Sequence, residues 1–139
     1  MSDDLYPEPI LAYARDASHA GRLSEPGASA TADNPLCGDR VTIDVAFAGN
    51  GIGQVRHATR GCVLCKAAAG VLAAKAEGSS RAVIQVAEAA LRAMLEQGAP
   101  LHGAWQELKV FAPVAPHKSR HGCVLLPFRA LADALAKPR

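Results

Sequence analysis

Four side chains in this sequence have the chemistry of a metal or sulfur site: Cys37, Asp39, Cys62 and Cys123. A thiolate binds metal ions and attacks sulfur atoms, and a carboxylate supplies an oxygen ligand. Three thiolates with one carboxylate suit tetrahedral zinc, and the same thiolates suit an iron–sulfur cluster. We predict that folding brings these four side chains together.

The local sequence around the three cysteines is typical of reactive or metal-binding thiols. Cys62 and Cys123 are each predicted to lie where a helix begins. The free N–H groups and the positive end of the helix dipole lower the pKa of a thiol at that position. Cys37 lies in a Pro-Xaa-Cys-Gly turn, where Gly38 lets the backbone approach a bound atom closely.

A predicted β-hairpin is the first reason to place two of these cysteines together. Alternating apolar residues predict a strand from Arg40 to Ala48, and Asn50-Gly51 is a strong signal for a two-residue turn. A second strand from Ile52 to about Thr59 then returns the chain to its starting end. Because paired strands lie about 4.8 Å apart, Cys37 and Cys62 come within reach of a shared metal.

Helical periodicity covers most of the remaining chain. A first helix is predicted to begin near Glu8 and to end at Gly21, and the loop after it contains at most a short irregular strand near residues 28–32. Three longer helices and one short helical turn are predicted at residues 62–78, 81–97, 124–136 and 101–111. The segment 112–122 carries two prolines and is predicted to lack regular structure.

Composition narrows the class of protein. Half of the 139 residues are hydrophobic and only 4% are aromatic, which predicts one domain over residues 1–139 with a core of Ala, Val and Leu. The net charge of +2, with no basic patch, argues against nucleic-acid binding. No apolar run reaches the ~20 residues of a membrane span, and the acidic start lacks the basic region of a secretory signal. We therefore expect a cytoplasmic protein that binds neither nucleic acid nor a membrane.

The same residues also have simpler interpretations that do not involve a metal. An isolated cysteine is most often a small buried hydrophobe, and this interpretation is preferred for Cys65, on the apolar side of a predicted helix. Asp39 alternatively caps its turn. Arg120 is either solvated or supplies positive charge beside a thiolate. Four histidines are expected at the surface or in solvated loops: His57, His102, His117 and His121.

Three motifs in chain order resemble those of the U-type iron–sulfur assembly proteins: Asn34-Pro35-Leu36-Cys37-Gly38-Asp39-Arg40, Gly61-Cys62 and Arg120-His121-Gly122-Cys123. This family includes IscU, the amino-terminal domain of NifU, and SufU. The resemblance covers nearly the whole chain from about residue 5. It implies an α+β fold, with a small three-stranded antiparallel sheet and four to five helices packed on one face.

The resemblance also implies a function. Such proteins accept sulfur from a cysteine desulfurase and either hold a nascent cluster for downstream apo-proteins or carriers, or relay persulfide. It implies that Cys37, Asp39, Cys62 and Cys123 bind zinc, iron or a 2Fe–2S cluster, and that the three cysteines are candidate persulfide acceptors. The chain is then a non-enzymatic scaffold. The alternatives are a zinc-dependent persulfide sulfurtransferase and a structural zinc domain that binds a partner; the oligomeric state stays open.

Three features bear on the branch of the family. The Arg-Xaa-Xaa-Cys form that ends at Cys123 resembles the SufU-like branch, whereas the IscU branch has a histidine where this chain has Gly122. The long insertion associated with SufU between the second and third cysteines is not obvious as a separate segment. Cys65 stands where the family usually has a serine or another small residue, so it is either a core residue or an additional thiol of the site.

Overall fold

The computed structural model describes residues 7–137. In chain order these residues form α1 (Glu8–Arg15), β1 (Ala28–Asn34), β2 (Asp39–Ala48), β3 (Gly51–Arg60), α2 (Val63–Ala76), α3 (Arg81–Gln97) and α4 (His121–Leu135). Two 3₁₀ segments, Gln106–Val114 and Lys118–Arg120, connect α3 to α4. None of the helices in this part of the chain is long and apolar enough to cross a membrane.

The three strands form one antiparallel sheet in the order β1-β2-β3. Asn34 pairs with Asp39, and Arg40 pairs with Arg60, so the β1–β2 turn and the end of β3 lie at the same end of the sheet. The predicted β-hairpin, which brings the chain back to this end of the sheet, is therefore confirmed. The tight turn itself is Gly49-Asn50, one residue earlier than predicted, because Gly49 adopts the positive φ of 62° that the turn requires.

One face of the sheet carries the hydrophobic core. Small and branched side chains of β1 and β2 alternate into it: Ala28, Ala30, Ala32, Val41, Ile43 and Val45. Helix α4 packs across β1 and β2, α2 packs against β3, and α1 lies on α2. Buried alanines line α2, so this helix comes close to its neighbours, as the low aromatic content predicts. This is the α+β fold that the family resemblance implies.

Two elements near the N-terminus differ from the sequence-based prediction. Helix α1 ends at Arg15 rather than at Gly21, because the Asp16 carboxylate accepts a hydrogen bond from the Ser18 amide and turns the chain out of the helix. Strand β1 is a full strand rather than a short irregular one. Its low β-propensity is overridden because its alanine face is covered by α4.

The connection to α4 is more regular than predicted. The two prolines of the segment 112–122 are accommodated by 3₁₀ turns, and α4 begins at His121 instead of Val124. Cys123 is therefore the third residue of α4, inside its first turn. Pro127 is the seventh residue of the helix; it has no N–H to donate to the carbonyl of Cys123 four residues earlier.

His57 was expected at the surface, and this prediction is wrong, because the side chain is only 6% exposed. It pairs with Ile43, so it lies on the core face of the sheet. Residues 19–21 also cover this edge of β3: His57 N–H donates to the His19 carbonyl, and the Gly21 N–H donates to the His57 carbonyl. Burial lowers the pKa of His57, and the charge of His19 lowers it further.

Candidate metal and sulfur site

The four predicted site residues lie at one end of the sheet, where the β1–β2 turn meets the starts of two helices. Cys37 is in the turn and Asp39 is the first residue of β2. Cys62 is the N-cap of α2. Cys123 projects from the first turn of α4, which packs on the same two strands. Antiparallel pairing and the docking of α4 thus bring together residues that are far apart in sequence.

The β1–β2 turn is shaped by Asn34 and Gly38. The Asn34 carbonyl accepts hydrogen bonds from the amides of Cys37 (3.2 Å) and Gly38 (2.8 Å), and its side-chain oxygen accepts one from the Leu36 amide at 3.2 Å. Gly38 has a φ of 72°, in the left-handed region that favours glycine. The turn leaves Leu36 exposed at 92% and Cys37 partly exposed, so this thiol lies at the rim of the site.

The distances between ligand atoms are those of a small coordination site. The ligand atoms of Cys37, Asp39 and Cys123 lie within 4.8 Å of one another, and the two sulfur atoms are 3.3 Å apart. Sγ of Cys62 lies 3.6 Å from Oδ2 of Asp39. Around tetrahedral zinc, two sulfur ligands lie roughly 3.8 Å apart, and a sulfur and an oxygen ligand roughly 3.5 Å. The structure therefore brings three of the four predicted ligands into one group, and Cys62 contacts this group through Asp39.

Asp39 is buried at the centre of the arrangement, with 2% of its surface exposed. Its Oδ1 accepts a hydrogen bond from the amide of Cys62 at 3.0 Å, which ties the start of β2 to the start of α2. The hydrogen bond that Asp39 accepts thus comes from the N-terminus of α2 and not from the β1–β2 turn that it was expected to cap, and its other oxygen faces a thiol.

Gly61 has a role that sequence reasoning missed. A Cβ at this position would lie 2.3 Å from Oδ1 of Asp39 and 2.8 Å from its Cγ. Only a residue without a side chain lets the buried carboxylate approach the backbone here. The sequence feature that could have indicated this role is the position of Gly61 directly before Cys62.

The pKa values of the Cys62 and Cys123 thiols are shifted in opposite directions. The hydrogen bond from Cys123 lowers the pKa of Cys62 most; burial opposes this, and the amides of Cys65 and Leu64 lower it further. The same hydrogen bond, together with burial, raises the pKa of Cys123. The expectation that both helix starts favour a thiolate therefore holds for Cys62 only. Cys123 departs from it because it is fully buried and its thiol donates a hydrogen bond to the sulfur of Cys37.

The opening of the site is lined by the turn on one side and by the second 3₁₀ segment on the other. Ser119 and Arg120 from that segment line it together with Leu36 and Cys62. Arg120 is partly buried at this opening, so it is not a fully solvated side chain.

The remaining candidates lie outside the ligand set. His117 and His102 are exposed, as expected. His121 is not a solvated loop residue, because its Nε2 is 2.9 Å from the carbonyl oxygen of Ala115. Cys65 is fully buried in the hydrophobic core, as preferred from the sequence, and burial raises its pKa.

Comparison with known proteins gives a family match over most of the chain. The NifU-like N terminal domain family matches residues 5–106. A search of curated proteins gave no match.

Solved structures resemble the chain over almost its whole length. The N-terminal part of a nitrogen-fixing NifU-like protein from Brucella abortus is 32% identical, with a TM-score of 0.90 over 96% of this chain and 93% of that chain. A protein from the thermophile Fervidobacterium islandicum AW-1, named as a candidate iron–sulfur cluster assembly scaffold for the SUF system, is 24% identical, with a TM-score of 0.89 over 97% and 99%. This second likeness shows the fold alone. The family match and the 32% identical structure together show that the chain belongs to the NifU-like N-terminal domain family.

Proposed function

We propose that this chain is a scaffold of iron–sulfur cluster assembly. It accepts sulfur from a cysteine desulfurase and binds iron, a nascent 2Fe–2S cluster or zinc through Cys37, Asp39, Cys62 and Cys123. The observation that carries the proposal is the meeting of three ligand atoms within 4.8 Å, with the sulfur of Cys62 3.6 Å from Asp39. Membership of the NifU-like family supports this class of function.

The four ligands have different exposure and therefore different parts in the proposal. Cys37, at the rim beside the exposed Leu36, is the thiol that a docking sulfur donor reaches first. Cys62 lines the opening, and Cys123 is fully buried with its sulfur 3.3 Å from that of Cys37. All three remain candidate persulfide acceptors.

The carboxylate of Asp39 makes the site labile. A carboxylate binds zinc or ferrous iron less tightly than a fourth thiolate. A scaffold has to release the cluster that it builds, so one weak ligand among three strong ones suits transfer to downstream apo-proteins or carriers.

Zinc fits the same donors, since three sulfur atoms and one oxygen form a complete tetrahedral set. Bound zinc would keep the thiols deprotonated and protect them from oxidation. A cytoplasmic location accords with this chemistry, because the four cysteines are free and free thiols persist in reducing compartments.

A second candidate function is that of a zinc-dependent persulfide sulfurtransferase that never holds a cluster. The observation that favours it is that Arg120 lines the opening, where its positive charge would attract a persulfide anion. A structural zinc domain is the third candidate.

Anaerobic reconstitution with iron and sulfide separates these functions. The scaffold predicts a cluster that absorbs visible light in the native chain and its loss in the Cys37→Ser variant. Leu36→Ser is the matched control, because this neighbour is exposed and has no ligand atom. Zinc that is retained without cluster formation, together with stimulated desulfurase turnover, would favour the relay. Unfolding of Cys123→Ser would favour the structural domain.

A further inference from the structure

Cys62 and Cys65 form a Cys-Xaa-Xaa-Cys pair on the first turn of α2. Cys62 is the N-cap, with extended backbone angles, and Cys65 is the third helical residue. On an α-helix, Cα atoms three residues apart are about 5 Å from each other. Disulfides accept Cα separations of about 4.4–6.8 Å. The backbone therefore holds the two residues at a distance that a disulfide can bridge.

The two thiols differ sharply in access. Cys62 lines the opening of the site, whereas Cys65 is fully buried in the hydrophobic core. A buried thiol can react only with a group that its accessible neighbour carries. This division is typical of dithiol pairs in which one cysteine receives a sulfur substituent and the other displaces it.

Cys65 also lies outside the set of four ligand residues. Cys123 competes with it for this role, because its sulfur lies 3.3 Å from that of Cys37 at the same site. However, Cys123 lies on α4 and is itself one of the proposed ligands, whereas Cys65 shares the first turn of α2 with Cys62.

Assembly of a cluster creates a need for such a thiol. A 2Fe–2S cluster contains sulfide, whereas the outer sulfur of a persulfide is at the oxidation level of elemental sulfur. Each sulfur atom that enters the cluster therefore needs two electrons, and a neighbouring thiol pair can supply them.

We propose that Cys65 is the resolving thiol for a persulfide on Cys62, and that this pair reduces sulfane sulfur to sulfide at the site. The inference rests on the proposed function, in which Cys62 is one of the three candidate persulfide acceptors. Sγ of Cys65 attacks Sγ of Cys62, the bond between these two atoms forms, and the bond from Cys62 to the outer sulfur breaks. The outer sulfur takes the electron pair and the Cys65 proton and leaves as H₂S. The cysteines are oxidised to a disulfide, which an external dithiol reductant returns to two thiols.

The test uses the full chain, reduced, freed of metal and kept anaerobic, with one equivalent of glutathione persulfide as the sulfur donor. After alkylation of free thiols, peptide mass mapping locates added sulfur and disulfides, and a colorimetric assay measures released sulfide. The native chain is expected to release about one sulfide and to gain a Cys62–Cys65 disulfide. In Cys65→Ala, sulfide release falls about tenfold or more and persulfide accumulates on Cys62. Circular dichroism verifies that this variant folds.

Each alternative outcome contradicts a different statement of the inference or of the proposed function. Equal persulfide on Cys62 in the native chain and in Cys65→Ala would contradict the inference and leave the proposed function intact. A disulfide from Cys62 to Cys123 would assign resolution to Cys123 instead. No persulfide and no disulfide on any cysteine would contradict both the inference and the sulfur-acceptor function.

A second measurement does not depend on the variant or on a persulfide. The native chain is equilibrated with mixtures of oxidised and reduced dithiothreitol, and its disulfides are mapped at each ratio. A Cys62–Cys65 disulfide is expected, and it is expected also in Cys37→Ala, which removes the competing pair. Its absence at every ratio would contradict the inference.

Discussion

Strand β2 buries two aspartates, and they have opposite surroundings. Asp44 is fully buried and accepts four hydrogen bonds: two from the Arg22 guanidinium at 2.7 and 3.1 Å, one from the Leu23 amide at 3.0 Å and one from the Ser29 hydroxyl at 2.6 Å. Asp39 is 2% exposed, accepts one amide hydrogen bond and faces a thiol. Within residues 7–137 it has no ion-pair partner.

The difference separates a structural carboxylate from a candidate ligand. Burying a carboxylate is unfavourable unless a cation and hydrogen bonds compensate for lost hydration. Arg22 and two further donors, the Leu23 amide and the Ser29 hydroxyl, provide this compensation for Asp44. At Asp39 the missing positive charge is the one that a bound metal ion would supply. Two residues of the same type, five positions apart on one strand, thus have different electrostatic surroundings.

The largest effect is expected when the charge of Asp39 is removed. Asp39→Asn keeps the size of the side chain but replaces an anionic ligand, so zinc affinity should fall more than about 100-fold. Its free energy of unfolding should be unchanged or slightly higher without metal, because an uncompensated buried charge is lost. Competition with a chromophoric chelator and urea unfolding provide the two readouts. Unchanged zinc affinity would remove Asp39 from the ligand set.

A substitution at Asp44 should instead lower stability and leave zinc affinity unchanged. Asp44→Ala leaves the Leu23 amide and the Ser29 hydroxyl without their acceptor, which should lower the free energy of unfolding by about 2–4 kcal/mol. Arg22 is more than half exposed and stays solvated, so it adds little to the loss. Zinc affinity of the folded variant should equal that of the native chain. A loss of zinc binding without a loss of stability would contradict the comparison.

A pair of glycine substitutions tests whether the position of Asp39 matters as well as its charge. Gly61→Ala places a methyl group against the Asp39 carboxylate and should lower zinc affinity about tenfold, because it displaces a ligand without removing it. Gly51→Ala is the control: its Cβ would meet no atom closer than 3.5 Å, and it lies at the opposite end of the sheet. Equal affinities for the two variants, from the same chelator competition, would show that the close approach at Gly61 is irrelevant.

His57, the third buried polar residue of the sheet, should produce the smallest effect, visible as a dependence of stability on pH. Burial lowers its pKa in the folded state, so the unfolded chain binds a proton at a higher pH than the folded chain does. Stability should therefore decline as the pH falls below about 6.5, the ordinary pKa of histidine. In His57→Leu this part of the decline should be absent in urea unfolding between pH 7 and pH 5. An identical slope in both proteins would mean that His57 is not the group responsible.

Local sequence patterns were sufficient to predict that the β2–β3 hairpin brings two of the site cysteines together. The alternation in β2 and β3, with a glycine turn between them, was enough to bring Cys37 and Cys62 to one end of the sheet. Cys123 was different. Nothing in its local sequence reveals that α4 packs across β1 and β2, so its placement depended on the resemblance to known proteins.

Tertiary contacts explain the predictions that were wrong. His57 is buried because residues 19–21 cover an edge of β3, and no periodicity reveals that distant contact. The surroundings that distinguish Asp39 from Asp44 involve residues up to 23 positions away in the chain. A sequence identifies such carboxylates, but only their neighbours in space determine which one is free to bind a metal.

The central claim is that Cys37, Asp39, Cys62 and Cys123 form one ligand set. X-ray absorption spectroscopy of the zinc-loaded chain tests it most directly. We predict one zinc ion with three sulfur ligands at about 2.3 Å and one oxygen ligand at about 2.0 Å. Four sulfur ligands would mean that Cys65 replaces Asp39, and a first shell of nitrogen and oxygen atoms alone would contradict the account.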